Sequence, residues 1–141
     1  MADNISTEIV NLYKPKKRFL IPINNFHVPK KLFKLFKKNN YTFCINNNFE
    51  NVISQCQLAN RKGDGTWIND TILKSYINLH KYKMCHSLEC YKEGRLVGGL
   101  YGVHIGSCFF GESMFSNFSN TSKFCLLYLI AILKKNLFSI L

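Results

Sequence analysis

LVGGLYGVHIGSCFFGESMFS, residues 96–116, reads as two apolar strands joined by a turn. Gly98, Gly99, Gly102 and Gly106 lie in a strand that should avoid them. Glycine inside a strand marks a bulge or a close approach by backbone or ligand. Near the end of the second strand stands one carboxylate, Glu112, between Gly111 and Ser113. An unpaired ionised carboxylate in an apolar run costs roughly several kcal/mol, so Glu112 is expected to be buried with a partner or a task. Ser113 is not a nucleophile elbow: the second glycine of G-x-S-x-G is missing and no helix follows at once. Met114 and Phe115 taken alone are ordinary core.

Outward from this pair, CHSLECYK alternates as a strand and KEG, 92–94, turns it into the hairpin. Upstream, RFLIPI reads as a short strand limited by Pro22. HVPKKLFKLFKKNN, 27–40, reads as a helix that starts at Pro29 and ends at Asn39-Asn40. YTFCIN, 41–46, is a strand and FENVISQCQLA, 49–59, a helix. A glycine-bearing loop over 60–66 leads to the only tryptophan, Trp67, and a helix over 69–83 has Asn69 or Asp70 as its cap. Downstream, a loop over 116–123 feeds a helix ending near Lys135, and LFSIL, 137–141, begins another strand. There is no internal repeat. The expected class is α+β, with a mixed, largely antiparallel sheet flanked by helices.

The 141 residues suit one domain, and 47% hydrophobic with 14% aromatic residues supply a core and exclude a disordered polymer. A net charge of +11 and a pI near 9.5 suit a nucleic acid or an anionic surface. Codon bias towards Lys, Asn, Ile and Phe supplies charge as well, so position carries more meaning than the total. Six cysteines form no C-x-x-C and MADNISTE is no signal peptide, which points to buried, reduced thiols in a cytoplasmic protein. His80 and His86 near Cys85 and Cys90 fit no standard metal spacing, so no metal is expected. FCLLYLIAIL, 124–133, is ten residues before two lysines, where a membrane span needs about 20, so it is a buried helix.

Lys30, Lys34, Lys37 and Lys38 are spaced i, i+4, i+7 and i+8 and share one helical face, with Leu32, Phe33, Leu35 and Phe36 opposite. A stripe of one sign repels itself and invites a phosphate backbone. A plain solvated face is about as good a reading, and a membrane-surface helix a third.

GTWI (65–68), LH (79–80), CHSLE (85–89), LVGGLYGVHIG (96–106), FFGESMFS (109–116) and NTSK (120–123) occur in this order at close spacing. Together they resemble the leucyl/phenylalanyl-tRNA–protein transferase family of the bacterial N-degron pathway, over about residues 13–141. The resemblance implies a GNAT-like α+β domain at 27–141 behind a remnant of an N-terminal domain and linker at 1–26. It implies transfer of Leu or Phe from a charged tRNA to the N-terminal Arg or Lys of acceptor proteins, marking them for degradation. No cofactor, a monomer and no membrane partner are implied. Lys30, Lys34, Lys37 and Lys38 match the family's tRNA-gripping cluster. Trp67 matches a tryptophan at the aminoacyl-adenosine site, where it would stack on a base. Leu100, Gly111, Glu112, Ser113, Met114, Leu129 and Leu141 match the pocket for the terminal adenosine and the Leu or Phe side chain. Glu112 would hydrogen-bond the substrate or orient its neighbours, a supporting catalytic role. A salt bridge to a core lysine or arginine is the plainer alternative.

The family's upstream Y-x-x-G-x-F-P-M motif corresponds only from its last methionine, and its Asp-Cys-Gln motif is expected directly after Leu141. The expectation is therefore a chain truncated at both ends, with little or no transfer activity, and the alternative reading is a catalytically inactive remnant that at most binds tRNA. A CoA-dependent acetyltransferase of the same fold is disfavoured, because SNFSNTSK before the last helix has no glycine for a pyrophosphate loop.

Overall fold

A computed structural model of the protein describes residues 10, 13–38, 40–59 and 66–136. The expected strand over 137–141, Leu141 with it, and most of the 60–66 loop lie outside the described residues. Among the described residues four strands form one antiparallel sheet in chain order: β1 (Thr42–Ile45), β2 (Cys85–Lys92), β3 (Arg95–Ile105) and β4 (Cys108–Ser116). Four helices accompany them: α1 (Lys30–Lys38), α2 (Phe49–Leu58), α3 (Asp70–Lys81) and α4 (Thr121–Lys135). The α+β class expected from the sequence is the class observed.

Strand alternation sends side chains to two cores. Cys85 and Tyr101 join Phe49, Val52, Ile53 and Cys56 of α2 and Ile72 of α3 on one face. Leu88, Cys90 and Leu100 join Cys125, Leu129, Ile130 and Leu133 of α4 on the other. No helix among the described residues is long and apolar enough to cross a membrane. α4 buries its apolar stripe against the sheet instead.

Caps set the helix starts. The Asn48 side chain accepts from the Asn51 N–H at 3.3 Å, and the Asn69 side chain accepts from the Ile72 N–H at 2.9 Å. Asn69, rather than Asp70, is thus the cap of α3. α1 begins one residue after Pro29, as expected from the sequence.

Several local expectations are corrected. RFLIPI forms no strand: Pro22 makes one isolated bridge and Ile23–Asn25 turns into a short 3-10 helix. Proline has no N–H for a ladder and its φ of −67° is fixed by its ring. Gly106 lies in the β3–β4 turn at φ +58°, not in the strand. Thr121, Ser122 and Lys123 belong to α4 rather than to the preceding loop. Phe33 is 45% exposed, with the Lys37 ammonium 4.8 Å from its ring centroid, so it does not belong to the packed face of α1. That face rests on Phe36, stacked on Phe43 at 5.4 Å and edge-on to Phe124 at 5.7 Å.

The buried acid is also a different one. Glu112 is only half-buried, whereas Glu89 in β2 is fully buried. The Glu89 carboxylate accepts the Ser87 hydroxyl at 2.6 Å and the backbone N–H groups of Asn47 and Asn48 at 3.2 Å. Three donors at the entrance of α2 repay its desolvation. CHSLE carries this acid inside an alternating strand, where sequence alone does not distinguish a capped carboxylate from a solvated one.

Candidate functional site

The glycines of β3 are there for close approach. A Cβ on Gly98 would run into the Thr121 side chain, and one on Gly102 would strike the Phe110 carbonyl and the Phe109 ring. Beside Gly102 the β3–β4 register slips: Tyr101 faces Ser113, yet Gly102 faces Gly111. Glu112 is therefore the extra residue of a β-bulge. Bulges re-aim a side chain, and here the re-aimed one is the carboxylate singled out in the sequence.

A cavity of about 710 Å³ runs along β4, lined by every residue from Cys108 to Met114. Arg18–Ile21 form part of its wall, with the Arg18 guanidinium 5.9 Å from the Phe110 ring centroid. Trp67, Leu100, Gly111, Glu112, Ser113, Met114 and Leu129 all line it. These are the seven described residues that the family resemblance assigned to one pocket. The eighth, Leu141, lies outside the described residues.

Two tyrosines that sequence reasoning missed complete the polar side. The Tyr76 hydroxyl of α3 donates to Glu112. Burial, then the Glu112 charge and this bond, hold that hydroxyl well above the usual tyrosine range. Tyr76 packs edge-on against Tyr101, with centroids 5.2 Å apart. Tyr101 is fully buried, lines the cleft, and its hydroxyl has no partner among the described residues. Burial pushes it too above its ordinary range. An orphaned buried hydroxyl at a cleft wall marks a place where a water or substrate atom belongs. Burial, followed by Glu112, pushes the neighbouring Cys85 thiol up to about 12, so it is no nucleophile at neutral pH. Tyr101 stands inside the quoted GGLYG stretch and was legible as a candidate. Tyr76 gave no signal, since nothing in the 69–83 pattern tells which helix face meets β4.

Lys30, Lys34, Lys37 and Lys38 are all exposed on α1, and none lines the cleft. Among the described residues no three His, Cys, Asp or Glu side chains converge in the manner of a metal site. All six cysteines are thiols rather than disulfides; Cys56, Cys85, Cys90 and Cys125 are buried, while Cys44 and Cys108 are half-buried.

Comparison with known proteins agrees with the motif reading. The family model described as "Leucyl/phenylalanyl-tRNA protein transferase" matches residues 20–141. A leucyl/phenylalanyl-tRNA–protein transferase of Rhizorhabdus wittichii is 40% identical over 141 residues, all of this chain and 57% of the relative. The Zymomonas mobilis counterpart is 42% identical over 141 residues and 53% of its own length. The Desulfotalea psychrophila one is 47% identical over 114 residues, 80% of this chain and 50% of that protein. The chain thus spans about half the length of these relatives. It belongs to the leucyl/phenylalanyl-tRNA–protein transferase family.

Proposed function

We propose that this chain carries the aminoacyl-tRNA binding surface and cleft of a transferase that moves Leu or Phe from a charged tRNA to the N-terminal Arg or Lys of an acceptor protein. The observation that carries the reading is the convergence of Trp67, Leu100, Gly111, Glu112, Ser113, Met114 and Leu129 on one cleft. Trp67 offers a stacking face for the terminal adenine. Leu100, Met114 and Leu129 offer apolar surface to an isobutyl or benzyl group. Lys30, Lys34, Lys37 and Lys38 supply a salt-sensitive grip on the tRNA backbone.

The chemistry asks for positioning more than for a nucleophile. The aminoacyl ester is already activated. A neutral α-amine attacks its carbonyl carbon, a C–N bond forms, and the ester C–O bond breaks. The departing ribose hydroxyl keeps a proton that the amine gives up. Glu112, held by Tyr76, is placed to orient the reacting groups, and effective molarity provides much of the acceleration. The reading extends to a GNAT-like fold for residues 27–141, with 1–26 belonging to a preceding domain. It also extends to a cytoplasmic monomer, needing no cofactor, whose acceptors are thereby marked for degradation.

The test is transfer of labelled Leu from charged tRNA to a peptide beginning with Arg. tRNA-dependent transfer that falls on Glu112→Gln supports the reading. A folded chain that binds charged tRNA through α1 but transfers nothing supports a binding remnant, and a chain that does neither overturns both.

A further inference from the structure

The cleft along β4 has two charged side chains among its described lining residues, one of each sign. Glu112 stands half-buried at the bulge, and Arg18 stands exposed at the rim. The two are held differently. Glu112 accepts the Tyr76 hydroxyl. Arg18 forms no ion pair among the described residues; its guanidinium lies by the Phe110 ring, 5.9 Å from the centroid. A guanidinium on an aromatic face keeps its N–H donors in its own plane, where a second group can reach them. The Arg18 charge also reaches the Tyr76 hydroxyl, where it opposes the upward shift caused by burial and Glu112. The cation and the Tyr76–Glu112 pair therefore act on one stretch of the cleft.

The segment that carries Arg18 is anchored close by. Pro22 makes its bridge and Ile23 is buried in the core beneath α4, which hold the chain at 18–21 against the cleft. A cation fixed at the rim of an otherwise apolar wall wants an anion. An acceptor beginning with Arg or Lys is cationic and is repelled there. The aminoacyl-adenosine end of a charged tRNA carries one anion next to the nucleoside, the phosphate on its 5′ oxygen. A planar guanidinium matches two phosphate oxygens at once.

We propose that Arg18 is a binding residue for the phosphodiester that joins the terminal adenosine to the nucleotide before it. The inference rests on the transferase reading above, which supplies the aminoacyl-adenosine. It gives the substrate a direction in the cleft: the phosphate at the exposed rim by Arg18 and Phe110, the aminoacyl ester inward towards Glu112. The contact is separate from the lysines of α1, which do not line the cleft.

The test uses the full chain and two ligands that cannot turn over. One is adenosine carrying phenylalanine at its 3′ position through an amide; the other is the same molecule with a methyl phosphodiester on its 5′ oxygen. Trp67 is the only tryptophan and lines the cleft, so its fluorescence reports binding of both. The phosphorylated ligand should bind the wild-type chain about five- to tenfold tighter, and this gain should shrink as salt rises. Arg18→Gln should abolish the gain, bringing the ratio of the two affinities close to one. Arg18 is exposed and belongs to neither core, and thermal unfolding checks that the variant folds. A gain that survives in Arg18→Gln, whatever happens to the absolute affinities, overturns the inference. So does equal binding of the two ligands by the wild-type chain. In both cases the adenosine still binds and the transferase reading stands. Binding of neither ligand overturns the inference and the transferase reading together.

Discussion

The Tyr76 hydroxyl on α3 donates to the Glu112 carboxylate at the β4 bulge, joining a helix and a strand that are 36 residues apart in the chain. A hydrogen bond to a charged group is worth about 1.5–3 kcal/mol. Tyr76→Phe should lower kcat/KM for transfer on the order of tenfold, with little change in Tm because the ring and its packing on Tyr101 remain. The double variant with Glu112→Gln should be no worse than Glu112→Gln alone, since both act through one bond. Steady-state kinetics of the four proteins checks this; additive losses would separate the two residues.

Glu89 predicts a stability effect without a direct catalytic one. Replacing it with alanine strands the Ser87 hydroxyl in a buried place and the Asn47 and Asn48 N–H groups in a partly buried one. The expected cost is about 3 kcal/mol or more, read as a lower urea midpoint. Glu89→Gln keeps the volume and one acceptor oxygen and should cost less.

Two glycines should respond differently to a methyl group. Gly98→Ala drives a methyl group into Thr121, which also donates its hydroxyl to the Val97 carbonyl at 2.9 Å, so the start of α4 must move. Overpacking of this kind costs about 1–3 kcal/mol. Gly111→Ala meets open space and should leave Tm unchanged while narrowing the cleft. Thermal unfolding of both variants, with analogue binding for the second, tests the contrast.

Acid should loosen the fold through His86. In the unfolded chain this imidazole takes a proton near its ordinary pKa of 6.5, whereas in the folded chain burial and the neighbouring His104 and His80 keep it neutral to lower pH. The unfolded state then binds more protons, so stability is full above about 6.5 and falls as pH drops below it. Urea unfolding at several pH values should record this fall, and His86→Asn should flatten it.

The lysines of α1 predict a salt effect. Replacing Lys34 and Lys37 with alanine should weaken tRNA binding and reduce the slope of log K against log salt by up to about 0.9 for each phosphate these two side chains neutralise. An unchanged slope would place the tRNA elsewhere.

Most of the architecture was legible because its signals are local. Asn69 announces the start of one helix, alternation announces the strands of 85–116, and Gly98, Gly99 and Gly102 announce close approach. The cleft was legible through Trp67 and the FFGESMFS motif. What escaped depends on packing between distant segments. Glu89 looks like any strand acid until Asn47 and Asn48 fold over it. Tyr76 reaches Glu112 only once α3 has docked. The expected strand over 18–23 failed because apolar character outweighed Pro22 in the reading, whereas a missing N–H outweighs it in the chain.

The bulge at Glu112 governs more than one side chain. Phe109 and Phe115 are six positions apart and would share a face in an unbroken strand, yet Phe109 packs on the α4 side and Phe115 on the α2 side. The carboxylate therefore occupies the position that switches the parity of β4. Any amino acid substituted at 112 keeps that count, but an in-frame loss of its codon does not: one aromatic would be thrown to the wrong core. Sequences that descend from this one can trade the acid away while keeping the fold, but they cannot shorten the strand there by one residue.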